Sequence, residues 1–191
     1  IYSGSYMDFG YWKKNNLGTL AYTSLSKKLN IKLIEDEQFW NIIDIDNWIL
    51  FQSFNRIYIL NNIDETIQII AAKTLITKIY EVDGIIYFQN KNEGIYKIDN
   101  GKSILVSNDL LIKNSIVVNI FMKDGYLLFE TEDKGFYKLD NGSITAWNIL
   151  SNELLSEVIV YNSIQLSDGS FVLGTISDGI IYLNTNGDLN Y

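Results

Sequence analysis

One sentence of residues recurs along this chain, and a self-similar period constrains the fold more than any local propensity does. Asp83-Gly-Ile-Ile-Tyr-Phe-Gln-Asn-Lys-Asn-Glu-Gly-Ile-Tyr-Lys-Ile-Asp-Asn-Gly-Lys102 returns as Asp124-Gly-Tyr-Leu-Leu-Phe-Glu-Thr-Glu-Asp-Lys-Gly-Phe-Tyr-Lys-Leu-Asp-Asn-Gly-Ser143. A third copy runs from Asp168-Gly-Ser-Phe-Val-Leu-Gly-Thr to Asn186-Gly187. Asp-Gly and Asn-Gly tolerate the positive φ of type I′ hairpin turns. The runs between them are rich in Ile, Tyr, Phe and Leu, which suit a pleated surface, and a third turn falls at Gly94, Gly135 or Gly179. Each unit therefore reads as an antiparallel meander of about four strands.

The spacing says what the meanders build. Asp83 to Asp124 is 41 residues, Asp124 to Asp168 is 44, and a degenerate copy at Asp46-Asn47 lies 37 before Asp83. Four-stranded units at ~40–50 residues are the mark of β-propeller blades. The expected fold class is all-β: a propeller segment of four-stranded antiparallel blades, about four and a half of them, belonging to a larger ring. Residues 1–191 form this single array, with units at 1–25 (partial), 39–76, 77–115, 116–158 and 159–191 (partial). Ile1-Tyr-Ser-Gly-Ser-Tyr6 aligns with Phe171-Val-Leu-Gly-Thr-Ile176, so the first unit is expected to lack its innermost strand. With no initiator Met, the chain reads as cut from something longer. Two stretches depart from the pattern. Residues 26–38 are irregular, and their Glu35-Asp36-Glu37 is expected to be a solvated loop. The second unit has lost its glycines: Asp46-Asn47 replaces Asp-Gly, and Arg56 stands where its neighbours have Gly94 and Gly135.

Composition removes several function classes. The formal net charge is −8, with 15 basic residues of which only Arg56 is an arginine, so the clustered positive surface that nucleic acid requires is missing. The absence of Cys removes thiolate metal sites and cysteine nucleophiles, and the absence of His removes the commonest general base and metal ligand. No cofactor, metal or catalytic residue is expected. No run approaches the ~18 apolar residues of a membrane span, so membrane contact is expected only through a parent chain.

Innermost strands line the channel of a propeller. Five residues before each corner Asp stand Asn41, Lys78, Asn119 and Ser163, polar within apolar runs. They are the candidate ligand-binding residues, or simply residues facing channel water. Tyr96, Tyr137 and Tyr182 follow the blade glycine and are expected to pack between blades, whereas Trp12, Trp40, Trp48 and Trp147 share no position, leaving one free to stack on a ring ligand. Asp44-Ile-Asp46-Asn47 and Asn184-Thr-Asn186-Gly-Asp188 are oxygen-rich but coincide with hairpin turns, and neither has the length or terminal Glu of a calcium loop.

Val160-Tyr-Asn-Ser-Ile-Gln-Leu-Ser-Asp-Gly-Ser-Phe-Val-Leu-Gly-Thr-Ile-Ser-Asp-Gly-Ile-Ile-Tyr-Leu-Asn184 resembles the two-component regulator propeller repeat. The opening Ile1-Tyr-Ser-Gly-Ser-Tyr-Met-Asp-Phe-Gly-Tyr-Trp-Lys13 is similar to blades of the Bacteroidetes subgroup whose propeller precedes a triple-tyrosine domain. That resemblance implies a ring of seven blades, or two such rings, acting as the periplasmic sensor of a membrane-spanning regulator, either a hybrid histidine kinase or a LuxR-type transcription factor. Its ligand would be a small molecule, a glycan or a partner protein. Two other readings stand beside it. A polysaccharide lyase or glycosidase would work through carboxylate or tyrosine chemistry. A passive interaction scaffold would show a large exposed apolar patch on one face. Raw blade faces at the two ends of the array are expected either to drive end-to-end self-association or to close the array into a smaller or strained ring.

Overall fold

The structure, a computed structural model, describes residues 1–189. The first sheet comprises β1 (Tyr2–Ser5), β2 (Asp8–Lys14) and β3 (Leu20–Ser24). The second holds β4 (Phe39–Ile45), β5 (Trp48–Ser53), β6 (Arg56–Asn61) and β7 (Ile67–Ala71), and the third β8 (Ile76–Val82), β9 (Ile85–Asn90), β10 (Gly94–Asp99) and β11 (Lys102–Ser107). The fourth is built from β12 (Val117–Lys123), β13 (Tyr126–Thr131), β14 (Gly135–Asp140) and β15 (Ser143–Ala146), and the fifth from β16 (Val160–Gln165), β17 (Phe171–Thr175) and β18 (Ile180–Leu183). Within every sheet, strands pair antiparallel with their chain neighbours. Single helical turns lead from an outer strand to the next innermost strand at α1 (Leu25–Lys28), α2 (Leu110–Lys113) and α3 (Asn152–Leu155). Ser24 and Asp109 cap the first two by accepting from the Lys27 and Leu111 amides.

The hairpins follow the turn chemistry with one informative exception. Asp83-Gly84 and Asp124-Gly125 have φ of 49° and 76°, and 48° and 85°, as a type I′ turn requires. At Asp168-Gly169 only the glycine is left-handed, at 85°. There the Leu166 amide donates to Ser170 O at 2.8 Å, and Asp168 Oδ1 accepts from the Ser170 amide at 2.9 Å. The same dipeptide thus closes a longer loop, which shifts β16 by one residue against the count from the corner.

The core lies between successive sheets. Tyr80, Tyr87 and Ile95 of the third sheet are buried against Val117, Ile120 and Phe129 of the fourth, and Phe121, Leu128 and Phe136 of the fourth against Val160, Leu173 and Ile181 of the fifth. Each such side chain contributes about 1.5–3 kcal/mol by leaving water. By strand pairing, Ile164, Val172 and Ile180 are the fifth-sheet counterparts of Phe121, Leu128 and Phe136. Ile164 and Ile180 are 54% and 75% exposed, so this face carries interior-type residues with nothing over them among the described residues.

Two expectations need correction. Tyr96 and Tyr137 pack between sheets opposite Phe88 and Phe129, and Tyr58 opposite Phe51 joins them. Tyr182 does not: Ile181 pairs with Leu173 in that place, and Tyr182, one residue further from its glycine, falls half-buried on the opposite face. The acidic triplet is not uniformly solvated either. Glu37 is 1% exposed and accepts from Ser53 Oγ (2.6 Å), Tyr58 OH (2.7 Å) and the Ile34 amide (3.0 Å). Arg56 Nη1 donates to Tyr58 OH at 3.1 Å and to Lys32 O at 3.0 Å. The two irregularities of the second unit therefore answer each other: the arginine in the glycine position ties down the connection that carries the buried glutamate. The irregular stretch after β3 opens with the helical turn α1, and single turns recur in equivalent connections at α2 and α3.

Candidate functional site

All four innermost strands carry a bulge at the same height. Pairing jumps from Phe39↔Ser53 to Asn41↔Gln52, from Ile76↔Asn90 to Ile79↔Phe88, from Val117↔Thr131 to Asn119↔Glu130, and from Val160↔Thr175 to Asn162↔Gly174. A bulge leaves one residue unpaired and re-aims its side chain. The unpaired residues are Trp40, Thr77 with Lys78, Val118 and Tyr161, and in each blade the bulge brings a polar residue (Asn41, Lys78, Asn119, Asn162) just after its first unpaired one. Together with Phe54, Ile116 and Glu132 the unpaired residues line an open concavity of about 460 Å³ where the innermost strands begin. Trp40 and Phe54 stack with ring centroids 5.3 Å apart, and Trp40 and Tyr161 are 55% and 76% exposed. Tyr6, Ile159 and Ile176, also exposed, lie at the same end of their strands.

The four candidate residues divide. Asn41 and Lys78 line the concavity. Asn41 Nδ2 donates to Gln52 Oε1 at 2.8 Å; Lys78 Nζ donates to Val118 O and to Asn162 Oδ1, each at 3.0 Å, and so ties three blades together. Asn119 spends its amide on the Ser163 carbonyl at 2.7 Å and its oxygen on the Ile120 amide at 3.0 Å, and works as an inter-blade tie. Ser163 does not face the channel. It is buried, pairs with Leu173, and donates from Oγ to Glu130 Oε2 on the neighbouring blade. The place counted to Ser163 belongs to Asn162, because the longer Asp168 loop puts one more residue between strand and corner. Sequence counting missed Asn162 for that reason. It missed Trp40 and Tyr161 because nothing in the chain marks a bulge.

Behind the mouth lies an ionisable pair. Lys78 is largely withdrawn from water, which lowers its pKa, while attraction to Glu130 works the other way. Glu130 is fully buried and its carboxyl is pushed up to about 8 by desolvation, against the Ser163 hydrogen bond and the Lys78 charge. The sequence did hold a signal for it: Glu130 aligns with Gln52 and Gln89 in the preceding units.

No family model matches the chain, and no curated protein is similar to it in sequence. Solved structures do match. The WD40 β-propeller domain of Doa1 superposes with a TM-score of 0.57 at 13% identity, over 82% of this chain and 54% of that one. The chain is a β-propeller segment. A chain of the mitotic checkpoint complex matches with a TM-score of 0.64 at 10% identity, over 96% of this segment and 58% of its own length. YCF48 bound to D1 peptide matches with a TM-score of 0.59 at 11% identity, over 94% and 63%. Identities this low establish fold alone, and the segment spans between 54% and 63% of these three chains.

Proposed function

We propose that this segment is a non-catalytic recognition module that binds a protein partner across the mouth of its channel. We further propose that it does so as the periplasmic sensor of a membrane-spanning regulator, the context its repeat resemblance implies. The carrying observation is the mouth itself. Bulges display Trp40 and Tyr161 at one end of the strands instead of packing them, with Phe54 and Ile116 exposed in the same concavity. Clustered exposed apolar surface marks interaction sites, and aromatic residues dominate binding hot spots. Propellers found in a mitotic checkpoint complex and bound to D1 peptide support a protein occupant over a small molecule or glycan.

The test is Trp40→Ser combined with Tyr161→Ser in the complete regulator. Two exposed hot-spot aromatics are worth roughly 1–2 kcal/mol each in binding, so partner-dependent output is expected to fall by at least about ten-fold. The melting temperature of the propeller should barely move, since neither ring is buried. Unchanged output in a folded double variant would overturn the reading.

A further inference from the structure

We propose that the mouth selects a partner carrying a carboxylate beside an aromatic or aliphatic side chain, and that Lys78 is the residue that reads the carboxylate. This rests on the reading of the mouth as a protein-binding site and adds what the partner must present there.

Lys78 carries an unanswered charge. Its Nζ is held by two neutral acceptors, Val118 O and Asn162 Oδ1, which take two of its three N–H groups and fix its position. The Tyr80 ring face lies 5.8 Å away. No carboxylate comes within ion-pair distance of it among the described residues, although the chain carries 23 acidic side chains against 15 basic ones. Glu130, the acid whose attraction reaches Lys78, makes no ion pair with it, and burial pushes its carboxyl up and so disfavours its charge. A partly desolvated ammonium of fixed position and without a counter-charge is preorganised for an anion. It sits in the same concavity as the Trp40–Phe54 stack, so one ligand can place an apolar side chain on the rings and a carboxylate on Nζ. Glu132 lines the concavity as well, so an anion is disfavoured beside it and Lys78 is the cationic side chain of the lining.

Three small probes separate the possibilities: N-acetyl-phenylalanine, N-acetyl-aspartyl-phenylalanine amide and N-acetyl-phenylalanine amide. Each is titrated into the folded chain at low salt while the Trp40 indole and Asn162 side-chain amide resonances are followed. At least one of the two acids is expected to bind roughly five-fold or more tightly than the neutral amide. The stronger of the two identifies a chain terminus or an acidic side chain as the source of the carboxylate. The advantage should vanish in Lys78→Gln and persist in Lys78→Arg, which keeps the charge and controls for folding. Equal binding of all three probes, lost in Trp40→Ser, would overturn selection by Lys78 and leave the mouth reading standing. So would an acid preference that survives Lys78→Gln. Binding by none of them would overturn both.

Discussion

The joint between the third and fourth blades and the joint between the fourth and fifth share a frame and are closed by different chemistry. In the first, Gln89 Nε2 donates to Ser115 O at 2.7 Å and Ile112 O at 3.3 Å, while its Oε1 accepts from the Val117 amide at 3.0 Å and Thr77 Oγ1 at 3.1 Å. Gln52 fills the same role at the preceding joint, donating to Ile76 O at 3.1 Å. In the fourth blade the position is Glu130, whose Oε2 accepts from Ser163 Oγ and whose Oε1 is buried with no partner. An amide both donates and accepts. A carboxylate only accepts, and its burial unpaired is costly. The difference teaches that this position donates across the joint where it is glutamine, and that a glutamate in the same place can donate only by holding a proton.

The largest expected effect is on pH dependence. Glu130 stands at about 8 in the folded chain against its ordinary 4.5, so between those values the folded state keeps a proton that the unfolded state has released. Stability is therefore full below 4.5, declines as pH rises through the window, and is flat above it, by on the order of 5 kcal/mol at most. No histidine titrates in this range to mask the effect. Glu130→Gln installs the residue of the two preceding joints and should flatten the profile. It should also raise the urea midpoint at about pH 8.5 while changing it little near pH 5. Parallel profiles for wild type and variant would mean that Glu130 is ionised throughout and that the two joints are electrostatically alike.

Breaking the amide joint comes next. Gln89→Leu keeps most of the volume but removes every one of the amide's bonds, stranding the buried Ser115 carbonyl and Val117 amide. Each stranded group costs about 1–3 kcal/mol, so a loss of about 3 kcal/mol in unfolding free energy is expected, independent of pH between about 5 and 9. A loss that grew with pH would place a titrating group in this joint and erase its contrast with the next.

These joints also show how much of the molecule is legible in its sequence. The propeller was legible because turn dipeptides and period are written in the chain, and four of the strand-and-turn units fell where Asp46, Asp83, Asp124 and Asp168 put them. The site was only partly so. Asn41, Lys78 and Asn119 kept the counted register because their hairpins close with short turns, and the first two line the mouth, whereas Asp168-Gly169 hides a longer loop behind the same two letters and turned Ser163 inward. Bulges have no local signature, so Trp40 could be named as an aromatic of no shared position but not placed, and nothing in the sequence singled out Tyr161. Glu37 shows the converse failure. Three adjacent acids read as solvent, yet one is drawn inside by Ser53, Tyr58 and a backbone amide contributed from distant strands and its own loop.

The smallest predicted effect is the sharpest on placement. Ser163→Ala removes the hydroxyl that donates to Glu130 and leaves the methyl-sized packing against the fourth blade. Because that hydrogen bond favours the carboxylate, its loss should push the Glu130 pKa further up and move the alkaline end of the stability decline to higher pH. The cost in stability near pH 6 is expected to be about 1 kcal/mol, the worth of one buried hydrogen bond. Binding of the acidic phenylalanine probes at the mouth should not change, since Ser163 faces the neighbouring blade and Asn162 faces the channel. A Ser163→Ala variant with weakened probe binding and an unmoved pH profile would return Ser163 to the channel wall. It would also make the register of β16, not the chemistry of the joint, the point to be revised.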